Sequence, residues 1–241
     1  EALPRAVASA AARKARIVTG FEVTAIERRG RQWAVASGSE ERVYHGLAST
    51  IPIPELLRAL RNVPPDVAEA ARALRYNASI FVLLGLKCCA NPDLVAVYFP
   101  QPELVFNRVC FLHSFSPGCV PPGMYSLLAE VSCRPDDEVW RSSDEQITRR
   151  VAGELAGEGF ILERDIVTTD VYRTPYSYVV YDLDYRRHRD RVRAYAESLG
   201  ISLLGRFAEF EYLNSDQCFA RAEALAQRLN AARAGRASTF A

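Results

Sequence analysis

The chain has 241 residues, 49% apolar and 24% charged, the balance of an ordinary globular protein, which excludes a fibrous or disordered polypeptide. Its 30 Lys and Arg against 29 Asp and Glu leave a net charge of +1, so no overall field draws it to nucleic acid, an anionic membrane or an acidic partner. No stretch approaches the roughly 18 consecutive apolar residues of a membrane span and the N-terminus lacks a charged-then-apolar signal, so a soluble, cytoplasmic protein is expected.

In chain order, Val18 to Ile26 and Trp33 to Ala36 read as strands around Arg28-Arg29-Gly30-Arg31, a hairpin. A third run leads from Val43 into Ser49-Thr50-Ile51-Pro52. Two short helices follow: Pro54 opens one with a Leu56, Leu57, Leu60 stripe, and Pro65 opens another with Val67, Ala71 and Leu74 at helical spacing. From Ser79 to Cys133 the period changes to that of strands, at Ile80 to Leu84, Leu94 to Phe99, Val105 to Phe115 and Tyr125 to Val131. Asn91-Pro92, Gln101-Pro102 and Pro121-Pro122-Gly123 break these runs, which predicts an antiparallel sheet.

Ser143 with Gln146 forms a capping box before a helix carrying Ile147, Val151 and Leu155. Strands resume at Val167 to Tyr172 and Tyr178 to Tyr181. A helix with Val192, Tyr195 and Leu199 inward then stops at Gly200. Ile201 to Leu204 reads as a strand buried on both faces. The last helix begins near Ser215 with Cys218, Ala222, Leu225 and Leu229 as its buried stripe, and residues 231–241 read as a fraying end and a tail. The layout is α+β.

Six cysteines without a C-x-x-C pair predict buried, reduced thiols rather than a zinc site or disulfides, and no metal is expected. His45, His113 and His188 lie in different elements with no serine or cysteine elbow beside them, which argues against a hydrolase triad. The basic run Arg186 to Arg193 is the solvated face of its helix and lacks aromatics spaced for base stacking.

The segment richest in chemistry is the strand at 201–204, then Gly205-Arg206-Phe207, an aromatic stretch to Tyr212, and Asn214-Ser215-Asp216 at the start of the last helix. Unpaired first-turn N–H groups and the positive end of the helix dipole suit an anion or polar ligand there. Equally, Gly205 can be a bend, Arg206 a surface cation and Asn214 or Ser215 a cap.

The run from Gly205 to Tyr212 with Asn214 and Asp216, followed by an Ala-rich helix, resembles the C-terminal flavin-binding signature of the amine oxidase and protoporphyrinogen oxidase superfamily, particularly its UDP-galactopyranose mutase-like branch. Ala48-Ser49-Thr50-Ile51-Pro52, after an expected Phe21-Glu22-Val23 strand, resembles the strand that closes the FAD domain of that superfamily. Tyr98-Phe99-Pro100, Asn107-Arg108, Phe115-Ser116-Pro117, Glu130-Val131 and Tyr176-Ser177-Tyr178 follow in the same order.

That resemblance implies a mainly antiparallel substrate sheet with flanking helices, plus the C-terminal part of a GR2-type FAD-binding domain. The implied segments are 1–52 (FAD domain), 53–200 (substrate domain) and 201–241 (return strand and helix of the FAD domain). The implied cofactor is FAD. The Val23 backbone would meet its adenine, Gly205 and Arg206 its isoalloxazine and pyrophosphate, and Asn214, Ser215 and Asp216 its polar edge and ribityl chain. Arg108 would bind a nucleotide-sugar diphosphate, and Tyr98, Tyr178 and Tyr212 would line the same cleft.

The chain departs from the pattern by lacking G-x-G-x-x-G: Gly38, Gly46 and Gly118 stand alone, and Ala208 replaces a common Gly. The expectation is therefore an incomplete FAD site on a fragment or split subunit needing an N-terminal half; an opening Glu1 and a lone Met124 accord with it. Three functions remain open: part of an FAD-dependent oxidoreductase holding a small-molecule substrate against flavin N5, a mutase-like isomerase acting on a nucleotide sugar through reduced flavin, and a non-catalytic module. No catalytic residue is assigned.

Overall fold

The computed structural model describes residues 2–238, with side chains from 3 to 231. The chain divides into two compact units, one built from 1–73 and 186–241 and the other from 74–185. Both boundaries fall at the crossings between helix and sheet, so the two helices after residue 52 and the helix before residue 201 belong to the first unit.

The first unit begins with α1 (Ala2–Ala11), which the strand-oriented reading of the N-terminus overlooks, and β1 (Ala25–Arg29), β2 (Gln32–Ser37) and β3 (Glu40–Tyr44) form an antiparallel meander. The β1–β2 turn centres on Gly30, at φ +61°, as the hairpin signal implies. The expected strand at 18–26 shrinks to β1: residues 21–23 lie in no strand, and pairing starts where the Thr24 amide reaches the Ala36 carbonyl at 2.8 Å. β4 (Leu47–Ser49) is followed by α2 (Ile53–Ala59), with Pro54 in its first turn, and α3 (Pro65–Ala73). Their apolar stripes, Ile53, Leu56, Leu57, Val67 and Ala71, are buried with Trp33 and Ile26.

The second unit is a five-stranded sheet in the order β6-β7-β8-β5-β9, every pair antiparallel. Its strands are β5 (Tyr76–Leu86), β6 (Ala96–Tyr98), β7 (Arg108–Phe111), β8 (Tyr125–Cys133) and β9 (Ile166–Val179). β7 ends earlier than expected because the chain turns into the short helix α4 (Leu112–Phe115). Conversely, β9 unites two expected strands, its register shifting between Asn77 and Ser79 of β5.

Side chains alternate across the pleat. One face carries Ile80, Val82, Leu84, Val109, Leu127, Ala129 and Val131, all buried. Against it packs the Ile147, Val151 and Leu155 stripe of α6 (Asp144–Gly157), which follows the one-turn α5 (Glu138–Arg141). The capping box forms as read: the Ser143 hydroxyl accepts the Gln146 amide at 3.1 Å, and the Gln146 side chain accepts the Ser143 amide at 2.8 Å. The opposite face presents the row Tyr98, Arg108, Glu130, Phe81 and Tyr172, register partners from one edge of the sheet to the other.

The chain returns to the first unit through α7 (Tyr185–Leu199), stopped by Gly200 at φ +80°. Val192 and Ala196 are its buried residues; Leu199 is only half-buried, and Tyr195 reaches the Asn62 carbonyl with its hydroxyl. Among its basic residues, Arg191 is ion-paired to Asp66 and Arg193 to Glu197. β10 (Ile201–Leu203) pairs in parallel with β4, and of its residues only Ile201 is fully buried.

α8 (Ser215–Ser238) closes the unit. Of its expected stripe only Leu225 is buried; Cys218 and Ala222 are half-buried and Leu229 is 54% exposed. The backbone is helical as far as Ser238, and the tail at 239–241 lies outside the described residues.

Candidate functional site

In the first unit the segment between β10 and α8 is a tight, internally braced turn. Gly205 sits at φ +86°, a conformation that costs other L-residues strain. Its amide donates to Glu209 Oε2 at 2.7 Å, and its carbonyl accepts the Glu209 amide at 2.9 Å. Arg221, from α8, donates to Glu209 Oε1 at 2.8 Å and to Glu211 Oε2 at 2.7 Å. Those bonds to Glu211, with the charges of both carboxylates, outweigh the opposing effect of burial and raise the Arg221 pKa above its ordinary value. Ala208 and Phe210 are fully buried, which anchors the turn to the core.

Arg206 projects from this turn with its guanidinium 4.4 Å from the centre of the Tyr212 ring, a cation–π stack, and donates to the Leu213 carbonyl at 3.4 Å. Arg206, Leu213, Asn214, Ser215, Cys218, Phe219 and Ala222 line a hollow of about 480 Å³. That lies within the ~300–1,000 Å³ of small-ligand clefts. At the start of α8 the Asn214 amide is taken by the Gln217 side chain at 2.8 Å, and the Asn214 carbonyl accepts the Cys218 amide.

Of the residues expected at the cofactor, Arg206, Asn214 and Ser215 line this hollow, joined by Cys218 and Phe219, which sequence reasoning leaves without a cofactor role; Gly205 and Asp216 adjoin them in the chain but are not among its lining residues, and Tyr212 stacks on Arg206. Val23 is not in a strand; it sits exposed in the segment before β1. As a test of fit to a flavin, the left-handed glycine, the guanidinium and the helix start beside an open hollow suit one polar portion of such a group. The sequence has no glycine-rich loop to cradle its diphosphate.

In the second unit Tyr98, Arg108 and Tyr178 share the face of the sheet opposite α6. Tyr98 is 68% exposed, and its hydroxyl accepts from Arg108 Nη1 at 3.4 Å while its ring lies 5.8 Å from the guanidinium. Arg108 also forms an ion pair with Glu130, its register partner, which is 2% exposed. Burial works to lower the Arg108 pKa, but the Tyr98 hydroxyl and the charge of Glu130, with a smaller effect from Tyr178, outweigh it and hold the guanidinium above its ordinary value. Arg108 Nε, Glu130 Oε1 and the Ser79 hydroxyl are buried without hydrogen-bond partners.

Glu130, which the sequence marks only as part of the Glu130-Val131 motif, and Ser79 are the residues to which sequence reasoning gave no role here. The signal was present: a carboxylate at the alternate, non-core position of Leu127-Leu128-Ala129-Glu130-Val131 marks the other face of a strand. His113, in contrast, is a satisfied structural residue, its ring facing the Ser126 amide at 3.2 Å and the Pro92 carbonyl at 3.1 Å.

No protein-family model and no curated protein matches the sequence. Solved structures do. A reduced UDP-galactopyranose mutase matches at a TM-score of 0.72 and 21% identity, over 82% of this chain and 42% of its own. A protein assigned as a protoporphyrinogen oxidase from Exiguobacterium sp. 255-15 matches at 0.67 and 16%, over 86% of this chain and 46% of its own. A fatty acid isomerase from P. acnes, which produces CLA, matches at 0.61 and 15%, over 86% and 47%. The fold is the one these structures share. This chain spans less than half the length of each.

Proposed function

We propose that this chain is part of a flavin-dependent enzyme of the oxidoreductase type, one unit holding the polar edge of FAD and the other a small-molecule substrate. The observation that carries this is the hollow framed by Arg206, Asn214 and Ser215, beside a turn that Glu209 and Arg221 hold in place. Gly205, Arg206 and Asp216 would hold the flavin there, with the Val23 backbone near its adenine. When bound, the flavin supplies the electron-accepting centre. The protein's own groups orient it: the helix start favours its electron-rich edge, and Arg206, stacked on Tyr212, offers a charge that is already positioned. Tyr98, Arg108 and Tyr178 would receive the substrate. The names of the structural neighbours support this reading, since they fall in the superfamily that the motifs resemble. Six free cysteines suit a reducing, cytoplasmic setting.

A second reading, favoured by the match to the UDP-galactopyranose mutase, makes the substrate a nucleotide sugar whose diphosphate meets Arg108. Arg108→Ala would then weaken UDP binding more than tenfold by calorimetry, and an unchanged affinity removes that reading.

Flavin uptake tests the first. The chain alone should purify colourless and turn yellow, with bound FAD, when co-expressed with a dinucleotide-binding half carrying G-x-G-x-x-G; Arg206→Ala should reduce that uptake. Bound FAD in the chain alone would overturn the division of labour, and none in either case would overturn the flavin assignment.

A further inference from the structure

We infer that Glu130 sets the charge of the substrate face, so that Arg108 meets an uncharged, hydroxyl-bearing group and not a phosphate. This rests on the reading that the Tyr98, Arg108 and Tyr178 face receives the substrate.

An arginine that clamps phosphate presents a positive charge that no neighbouring carboxylate has already matched and an open fork of N–H donors. Arg108 has neither. Its charge is matched by a carboxylate that is 2% exposed, directly opposite it in the register and in ion-pair contact. Its Nη2 is committed to the Glu130 carboxylate, and its Nη1 donates to the Tyr98 hydroxyl at 3.4 Å. A second anion brought to this spot would face the buried carboxylate, and in a partly desolvated setting that repulsion cancels what the guanidinium offers.

What the pair leaves unsatisfied has a different character. Arg108 Nε is a donor, Glu130 Oε1 an acceptor and the Ser79 hydroxyl both, and all three lack partners. Ser79 lies two residues before Phe81 on β5, and so on the same face and diagonal to Glu130. Donor, acceptor and hydroxyl on one face of the sheet are complemented by a group that is itself donor and acceptor, which is a hydroxyl; a phosphate dianion brings acceptors only. The exposed rings of Tyr98 and Tyr172 flank the row and offer the flat apolar faces on which a hydroxylated ring or chain can lie.

The test uses inorganic diphosphate and methyl galactoside as charged and neutral probes of the full chain. Wild type and Arg108→Gln should bind diphosphate equally, any background belonging to other cations. Glu130→Gln should bind it at least tenfold more tightly, and Glu130→Gln with Arg108→Gln should lose that gain. Methyl galactoside should shift the Arg108 Nε–Hε resonance of the wild type in nitrogen-15 spectra, and Ser79→Ala should diminish the shift. If Arg108→Gln alone weakens diphosphate binding tenfold, or if the neutral probe leaves that resonance unmoved, the inference is overturned. Should Glu130→Gln not fold, the wild-type and Arg108→Gln comparison decides by itself. Flavin uptake, measured separately, is untouched by either result, so failure here is distinct from failure of the cofactor assignment.

Discussion

Glu209 ties down the turn that begins four residues earlier at Gly205: one carboxylate oxygen accepts the Gly205 amide at 2.7 Å, and the other receives Arg221 at 2.8 Å. A single side chain therefore couples the backbone from which Arg206 projects to the helix that carries the rest of the hollow. Hydrogen bonds to charged groups are worth about 1.5–3 kcal/mol, so Glu209→Ala should cost about 2 kcal/mol in urea unfolding. A loss under ~0.5 kcal/mol, the level of an unremarkable surface change, would show that the turn stands without it.

Gly205→Ala separates strain from crowding. A Cβ at Gly205 would meet nothing nearer than Cys218 Sγ at 3.9 Å, an ordinary contact, so the cost comes from the left-handed backbone. The expected loss is about 1–2 kcal/mol. Gly205→Asn, which tolerates that conformation better, should lose less; equal losses would point to crowding.

At the start of α6 the capping box predicts that Ser143→Ala lowers stability by about 1 kcal/mol, read by thermal or urea unfolding. Ser143→Gly should cost only a few tenths, since glycine leaves the helix end open to water.

Burial pushes the Cys133 thiol up to about 11, the neighbouring charge of Asp137 adding to the effect. The unfolded thiol ionises near 8.5. Between about 8.5 and 11 the unfolded chain has released a proton that the folded chain keeps, so this group's contribution to stability falls as pH rises through that window. Cys133→Ser should flatten the fall. At pH 8, iodoacetamide should label the exposed Cys88 and Cys119 well before Cys133, as followed by mass spectrometry.

Local signals carried much of the fold. Pro54, Pro65, Gly200 and the Ser143 and Gln146 pair mark helix ends through backbone rules that act within one turn, and each stands where such a rule puts it. Val18 to Ile26 shows the reverse case. Its composition is that of a strand, but residues 21–23 lie in no strand, and a strand exists only through pairing. The α8 stripe fails similarly, because helical spacing tells which residues share a side and not what lies against it.

The residues by themselves determined an α+β chain, its antiparallel sheet, most helix limits and the motif from Gly205 to Asp216, since each depends on neighbours within a few positions. Only the tertiary structure decided that Glu130 lies opposite Arg108, with Tyr98 and Phe81 in the same row. That juxtaposition is a matter of register between strands distant in sequence, and register is chosen by which face of the sheet α6 and the apolar core bury.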